Sequence, residues 1–336
     1  MIYKNYDVLI VGGGAAGFFS AINTAQKNPA LRVGILERGS NVLSKVKISG
    51  GGRCNVTHAE FEPKPLSSHY PRGQKELLGP FHTFMTGDTM QWFEERGVNL
   101  KIEEDGRVFP ESNSSQTIID CFTSEANKYN IDVLLNHSVQ DISTSKGGWE
   151  LSTPKGTFCA EKILIATGSN SKIWTLLELL GHQIVEAVPS LFTFTISDTR
   201  LKSIPGVVAK HVELFVNNSL LTSSGPLLIT HTGISAPSVL KLSAYGAIEL
   251  AKRKYNFDLT INFIAQDFAT CVQELEDYKS DNPKKLVRKS ALYGLPKRLW
   301  EQLVIGANFS NDIKWAETNQ KQLQNLAIQL TSAIFK

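Results

Sequence analysis

Asp7-Val-Leu-Ile-Val-Gly-Gly-Gly-Ala-Ala-Gly17 decides how the rest of this chain is read. Residues 7–11 are, after Asp7, an apolar run of aliphatic, mostly β-branched side chains, the pattern of a parallel strand buried on both faces. A helical pattern follows from Ala15 to about Lys27, and a second apolar strand over residues 31–36 ends on Glu37. Strand, Gly-x-Gly-x-x-Gly, helix, strand and acid make the dinucleotide fingerprint in its full context, which a glycine-rich turn alone would not. Gly12 permits the tight turn, Gly14 lets backbone approach a pyrophosphate, and Gly17 lets the helix pack closely on the strand. Ala15 and Ala16 open the helix, where free N–H groups and the positive dipole end favour phosphate. Glu37 is placed to accept hydrogen bonds from ribose hydroxyls, and Arg38 beside it joins the candidate binding residues.

Residues 45–58, Lys-Val-Lys-Ile-Ser-Gly-Gly-Gly-Arg-Cys-Asn-Val-Thr-His, are the second informative block. Ser49, Gly50 and Gly51 offer flexible backbone rich in N–H donors, and Arg53 brings a planar cation suited to phosphate. A plain surface loop would not need serine, three glycines, arginine and asparagine in one block. A second phosphate or cofactor contact is the expectation, with Lys45, Arg53, Cys54 and Asn55 as its candidate residues.

The 336 residues are too many for one ordinary core, and 42% hydrophobic with 20% charged residues suits a globular protein. The balance of 35 basic against 32 acidic residues argues against a nucleic-acid binder acting through bulk charge. Cys54, Cys121, Cys159 and Cys271 form no Cys-x-x-Cys pair, so neither a metal site nor a redox dithiol is signalled. No membrane-spanning run and no room for a leader before the first strand point to the cytoplasm and away from a membrane partner.

Ile48-Ser-Gly-Gly-Gly-Arg-Cys-Asn-Val-Thr57 resembles the signature of a bacterial family of FAD-dependent flavoproteins, which includes aminoacetone oxidase-like and bile-acid-dehydroxylation-associated proteins. The likeness continues at residues 104–110, 165–168, 181–191 and 230–237 and covers nearly the whole chain to about Trp300. It departs from the family pattern at Leu43 and Ala236, where glycine is common, and at His58, where asparagine is frequent. The resemblance implies FAD as cofactor, with NAD(P)H a candidate transient donor. It also implies that Val139 touches adenine through its backbone and that Ala166, Thr167 and Gly168 approach the same nucleotide. Relatives of that family run on past the helical region, back through the β-rich domain to the FAD domain. Here a helix bearing residues 323–334 is followed by no such return, so the resemblance implies a cofactor cleft open on one side.

Between these motifs, residues 70–97 are helical, and the stripe Phe81, Phe84, Trp92 and Phe93 reads as core. Arg107 faces the flavin region or pairs with a carboxylate. Residues 133–160 read as a β-meander with a hairpin at Gly147-Gly148, followed by a separate strand over 162–166. Beyond Pro189, alternating runs predict an antiparallel sheet or small barrel, and Ser235 is the expected N-cap of a helix opening at Pro237. From Asp267 the chain becomes helical. The expected architecture is a Rossmann-like α/β FAD-binding domain with a meander (1–186), a small antiparallel β-rich, barrel-like domain (187–265) and a helical domain (266–336).

The function that follows is an FAD-dependent oxidoreductase passing a hydride between a small organic substrate or NAD(P)H and an acceptor. Alternatives are an amine oxidase using dioxygen, or a non-catalytic nucleotide-binding scaffold. A second Gly-x-Gly-x-x-Gly is absent, so any nicotinamide docks without its own Rossmann domain. Lys45, Cys54 and His231 are the candidate catalytic residues, although a lone histidine is more often structural. The sequence leaves the oligomeric state open.

Overall fold

A computed structural model describes residues 3–336, with side chains from Asn5 onward. The chain divides into two compact units, Met1–Glu186 and Ala187–Lys336.

The first unit opens with β1 (Tyr3–Val11), α1 (Ala15–Lys27) and β2 (Val33–Leu36). Next come α2 (Ser44–Ile48), β3 (Thr57–His58), α3 (Pro63–Ser68), α4 (Gln74–Phe81) and α5 (Thr86–Glu94). β4 (Leu100–Ile102), β5 (Arg107–Pro110) and α6 (Ser115–Lys128) lead to β6 (Asp132–Leu134). β7 (Asp141–Ser145), β8 (Gly148–Thr153), β9 (Gly156–Ile165) and α7 (Ser171–Leu179) complete it. Six strands form one sheet in the order β6-β2-β1-β9-β8-β7, with β6, β2, β1 and β9 parallel.

The uninterrupted apolar run of β1 is explained by two covered faces. Ile10 packs with Phe18, Ile22 and Phe122 on one side, while Leu9 and Val11 pack with Leu151, Phe158 and Ile173 on the other. Leu9 and Ile10 are fully buried, each contributing about 1.5–3 kcal/mol of transfer free energy.

Two strand assignments are corrected. Val133 pairs with Ile35 in the parallel part of the sheet, not in the meander. The strand expected at 162–166 is the second half of β9. That single strand pairs with β8 through residues 156–160 and with β1 from Tyr3↔Thr157 to Val11↔Ile165.

The second unit is built on β10 (Phe194–Thr195), β11 (Val208–Val216), β12 (Thr222–Ile229), β13 (Gly233–Ser235), β14 (Leu259–Asn262) and β15 (Ala333–Phe335). They form one antiparallel sheet in the order β10-β13-β12-β11-β14-β15. Its helices are α8 (Thr199–Lys202), α9 (Pro237–Lys252), α10 (Phe268–Asp281), α11 (Lys297–Gly306) and α12 (Gln320–Thr331). Segments 187–265 and 266–336, separate domains in the sequence reading, share one core. Leu214 and Ile261 of the sheet belong to the same buried cluster as Trp300, Leu303, Leu326 and Leu330 of the helices.

The last helix stops at Thr331, and residues 333–335 return to the sheet, pairing Ala333 with Ile261 and Phe335 with Leu259. This corrects the expectation of a helix reaching Ile334 with no return to the β-rich part. Arg200 secures β15 by donating to the Ile334 carbonyl at 2.6 Å while its guanidinium lies 4.0 Å from the centre of the Phe335 ring. The N-cap before Pro237 is Ala236, not Ser235, which ends β13. Ala236 has φ +90°, a conformation glycine adopts without cost and a residue with a Cβ rarely takes. Among the described residues no helix is long and apolar enough to cross a membrane.

Candidate functional site

β1 and β9 run side by side, so Gly12 and Ala166 leave the sheet together at its C-terminal edge, with helices following both. Ligands of open α/β sheets bind at such an edge. Gly12 has φ +116°, and a Cβ placed on it would stand 2.5 Å from the Ala166 carbonyl oxygen. A Cβ on Gly17 would collide with the Gly12 carbonyl oxygen. Gly14 differs from both: nothing lies within 4 Å of its missing side chain. It is the N-cap of α1, without a side-chain cap and without an acidic residue in the first turn. The N–H groups of the first helical turn, including those of Ala15 and Ala16, have no partner within the helix. The opening of α1 therefore presents N–H groups that no side chain of its own first turn caps.

Glu37 holds this turn in place. Its Oε2 accepts the Gly13 N–H at 2.8 Å and its Oε1 accepts the Gly39 N–H at 2.7 Å. Each carboxylate oxygen keeps acceptor capacity beyond these bonds, so the expected ribose contact remains chemically open. The His137 N–H donates to the Glu37 carbonyl at 2.8 Å, tying the approach to the meander to the same corner.

A cleft of about 850 Å³ lies along this edge. Its wall contains Gly12, Gly14, Ala15, Ala16, Glu37 and Arg38 from the fingerprint. Lys45, Ser49, Cys54 and Asn55 line it from the second block, and Ala166, Thr167 and Gly168 from the end of β9. Lys45 and Gly168, far apart in sequence, meet here: a Cβ on Gly168 would stand 3.5 Å from Lys45 Nζ. Cys54 is 7% exposed, and burial pushes its thiol pKa up. A protonated buried thiol is a packing group rather than a nucleophile. Asn55, with its amide oriented to satisfy both neighbours, donates to the carbonyls of Thr57 at 2.9 Å and Val108 at 3.2 Å.

Five of the expected cofactor-binding residues, and the catalytic candidate His231, lie outside the cleft wall. Gly17 acts through helix packing. Gly50 and Gly51 take φ +56° and +69°, and a Cβ on Gly50 would stand 2.9 Å from the Phe109 ring. Arg53, expected at a phosphate, instead bonds Glu103 at 2.6 Å with its guanidinium 3.9 Å from the Phe109 ring centre. Val139 is 8% exposed and packs with Ile142 and Leu151 beneath the sheet. Arg107, open between two readings, pairs with Asp105 at 2.7 Å and Glu103 at 3.4 Å. His231 belongs to the second unit. Among the described residues no cluster of side chains could hold a metal.

Sequence reasoning assigned Phe84, Trp92 and Phe93 to the core alone. They also form part of the cleft wall, together with Phe19 and Phe122. The helical spacing that marked them as buried carried no sign of which buried face would border a cavity.

A glycine turn that backbone alone can approach, the N-terminus of α1 and an acid after β2 define a dinucleotide-binding Rossmann protein. Residues 6–292 match the family described as HI0933-like protein Rossmann domain, and the chain belongs to that family. The family binds FAD, and the residues here fit it: the open side of Gly14 leaves room for a pyrophosphate beside the first turn of α1. The cleft volume falls in the cofactor-site range, roughly 300–1,000 Å³. Ribosomal RNA dihydrouridine synthase of Escherichia coli is 27% identical over 98% of this chain and 80% of its own. The 3-dehydro-bile acid delta(4,6)-reductase of Clostridium scindens is 24% identical over 94% of this chain and 79% of its own. Among solved structures, Escherichia coli quinol fumarate reductase aligns with TM-score 0.44 and 14% identity over 83% of this chain and 58% of that one. Thermovibrio ammonificans THI4 aligns with TM-score 0.37 and 18% identity over 53% of this chain. The chain spans less than two thirds of these two solved chains, 58% and 64%.

Proposed function

We propose that this protein is an FAD-dependent oxidoreductase that passes a hydride between an organic substrate, or NAD(P)H, and an acceptor. The observation that carries this reading is the open side of Gly14 at a helix N-terminus without a side-chain cap, within a cleft that Glu37 holds in shape. Bound FAD would supply the redox chemistry at its ring. The chain's own residues would do the rest. The first N–H groups of α1 neutralise phosphate, Glu37 fixes the turn and accepts ribose hydroxyls, and Lys45 brings a positive charge to the end of β9. A cation there would favour an anionic reduced cofactor.

Two relatives favour reduction as the direction of use. One is named as a reductase, and the other for forming dihydrouridine, a base with one double bond fewer than uridine. The small-molecule substrate expected from the charge balance stands as part of this proposal. The competing acceptor is a uridine within RNA, which the names of two relatives suggest. The test is the absorption spectrum of purified protein loaded with FAD and mixed anaerobically with single donors. Bleaching by NAD(P)H, followed by reoxidation on adding an organic acceptor, is the expected result. Bleaching only by an amine would move the protein to the oxidases, and reoxidation by RNA alone would overturn the small-molecule substrate. A flavin that no donor reduces would leave only a scaffold.

A further inference from the structure

The cleft wall has two chemically different parts. Around the N-terminus of α1 it is backbone, carboxylate and ammonium. One helical turn along α1, about 6 Å from Ala15, it becomes aromatic. Phe19 sits 5.2 Å from Trp92 and 5.3 Å from Phe84, while Trp92 and Phe93 both pack against Phe122 at 5.6 Å. We propose that this aromatic part is the substrate subsite of the cofactor cleft and that it takes a neutral, planar, largely apolar ring compound. The proposal rests on the reading of the cleft as an FAD site and names the class of molecule held beside the cofactor.

The hydrogen-bonding groups of this wall are already engaged. Trp92 Nε1 donates to Asn23 Oδ1 at 3.3 Å, and Thr89 Oγ1 donates to the Met85 carbonyl at 2.9 Å. What remains is ring faces and edges, which reward apolar area and stacking and offer little to a polar ligand. The polar edge of a flavin ring would find no partners here, whereas Lys45 and the first N–H groups of α1 offer them elsewhere in the same cleft. An ammonium substrate is disfavoured for a separate reason. The Arg96 guanidinium already lies 3.8 Å from the Trp92 ring centre, so one face of the best cation-binding ring is taken.

The wall is also fixed in advance. Arg96 is held by the Trp92 carbonyl and by Gln26 Oε1, each at 2.8 Å, and by Glu125 at 3.2 Å. Trp92 is therefore clamped by its indole N–H and by one ring face. Rings immobilised before binding lose little entropy on meeting a ligand, which is where rigid sites gain affinity. Phe84 is the exception. At 39% exposed, it has ring surface left over for a ligand.

The experiment uses the full chain loaded with FAD and the neutral fluorescent probe N-phenyl-1-naphthylamine. Probe emission should rise on binding, and Phe84→Ala should weaken the probe by about tenfold through lost contact area and stacking. The FAD dissociation constant of that variant should stay within about twofold, since its ring lies outside the phosphate and ribose contacts. Trp92→Phe, which keeps a ring and so guards against misfolding, should fall between wild type and Phe84→Ala. Equal probe affinity in wild type and Phe84→Ala would overturn the proposal. So would displacement of the probe from cofactor-free protein by added FAD, which would assign this wall to the cofactor. Failure of every donor to bleach the flavin would sink the redox reading instead, and is read in a separate measurement.

Discussion

Glu37 Oε2 accepts the backbone N–H of Gly13 at 2.8 Å, so the acid that ends β2 braces the turn that ends β1. Such a carboxylate has two duties, one toward the chain and one toward the ligand. Glu37→Ala should weaken FAD by about 1–3 kcal/mol through lost ribose bonds and also lower the melting temperature of the cofactor-free protein. Glu37→Gln, which keeps one acceptor oxygen, should recover part of the stability. Titration followed by flavin fluorescence, with thermal melts of the apoprotein, checks both. An unchanged FAD constant in Glu37→Ala would leave Glu37 with the structural duty alone.

The three fingerprint glycines should fail in different ways. Gly14 has φ −91° and ψ −175°, which any residue adopts, and its side-chain position is open. Gly14→Val should fold normally and lose FAD. Gly17→Val drives a side chain into the Gly12 carbonyl and should lose stability before binding is in question, as overpacking does at about 1–3 kcal/mol or more. Urea melts and flavin occupancy separate the two outcomes. Full occupancy in Gly14→Val would remove this turn from the site.

Arg53 is engaged by Glu103 and Phe109, and its loss should register in stability. Arg53→Ala should cost about 1–2 kcal/mol, from a half-buried ion pair and a ring contact. Its FAD affinity should stay within about twofold of wild type, because the side chain lies outside the cleft wall. A variant that folds as stably as wild type but releases FAD would restore the phosphate-binding role expected from sequence.

Alkaline stability follows from two buried thiols. Burial raises Cys121 and Cys271 from 9.0 to about 11 each. A pKa raised in the folded state means the folded chain keeps its proton while the unfolded chain loses it. Stability is therefore fully present below pH 9 and declines as pH rises toward 11. The loss is on the order of 2 kcal/mol per thiol. Urea midpoints between about pH 8 and 11 measure it, and Cys271→Ala should flatten the slope.

Ala236 offers a stabilising change. With φ +90° and ψ 174° it sits where glycine is at home, and Ala236→Gly should gain about 1 kcal/mol by relieving strain. An unchanged or lower melting temperature would show that the surrounding strand and helix already relax the backbone.

Local features were legible in the sequence and distant pairings were not. The fingerprint could be read because strand, turn, helix and acid follow one another within a few dozen residues, and each has its own chemical signature. The second block could be read only halfway. Its lysine, serine, cysteine and asparagine reach the cleft, but Arg53 finds Glu103 across a strand pairing that no spacing announces. The same blindness to partners split β9 in two, placed Val133 in the meander and missed the return of residues 333–335 to the sheet. It also drew a boundary near residue 265 where sheet and helices share one interior. Helical periodicity placed Trp92 and Phe93 inside, but could not show that a cavity borders them.

The pairing of β1 with β9 has a consequence for the order in which the protein comes to life. The glycine turn leaves the ribosome first, yet the carbonyl that closes over Gly12 belongs to Ala166, and nearly the whole first unit is synthesised between them. Closing so long a loop carries an entropic cost that only the finished sheet returns. The bonds that Gly12 and Gly13 make to Leu36 and Glu37 join residues synthesised early, whereas the Ala166 carbonyl reaches Gly12 only with β9, so the two sides of the cleft's floor come from opposite ends of the first unit's synthesis.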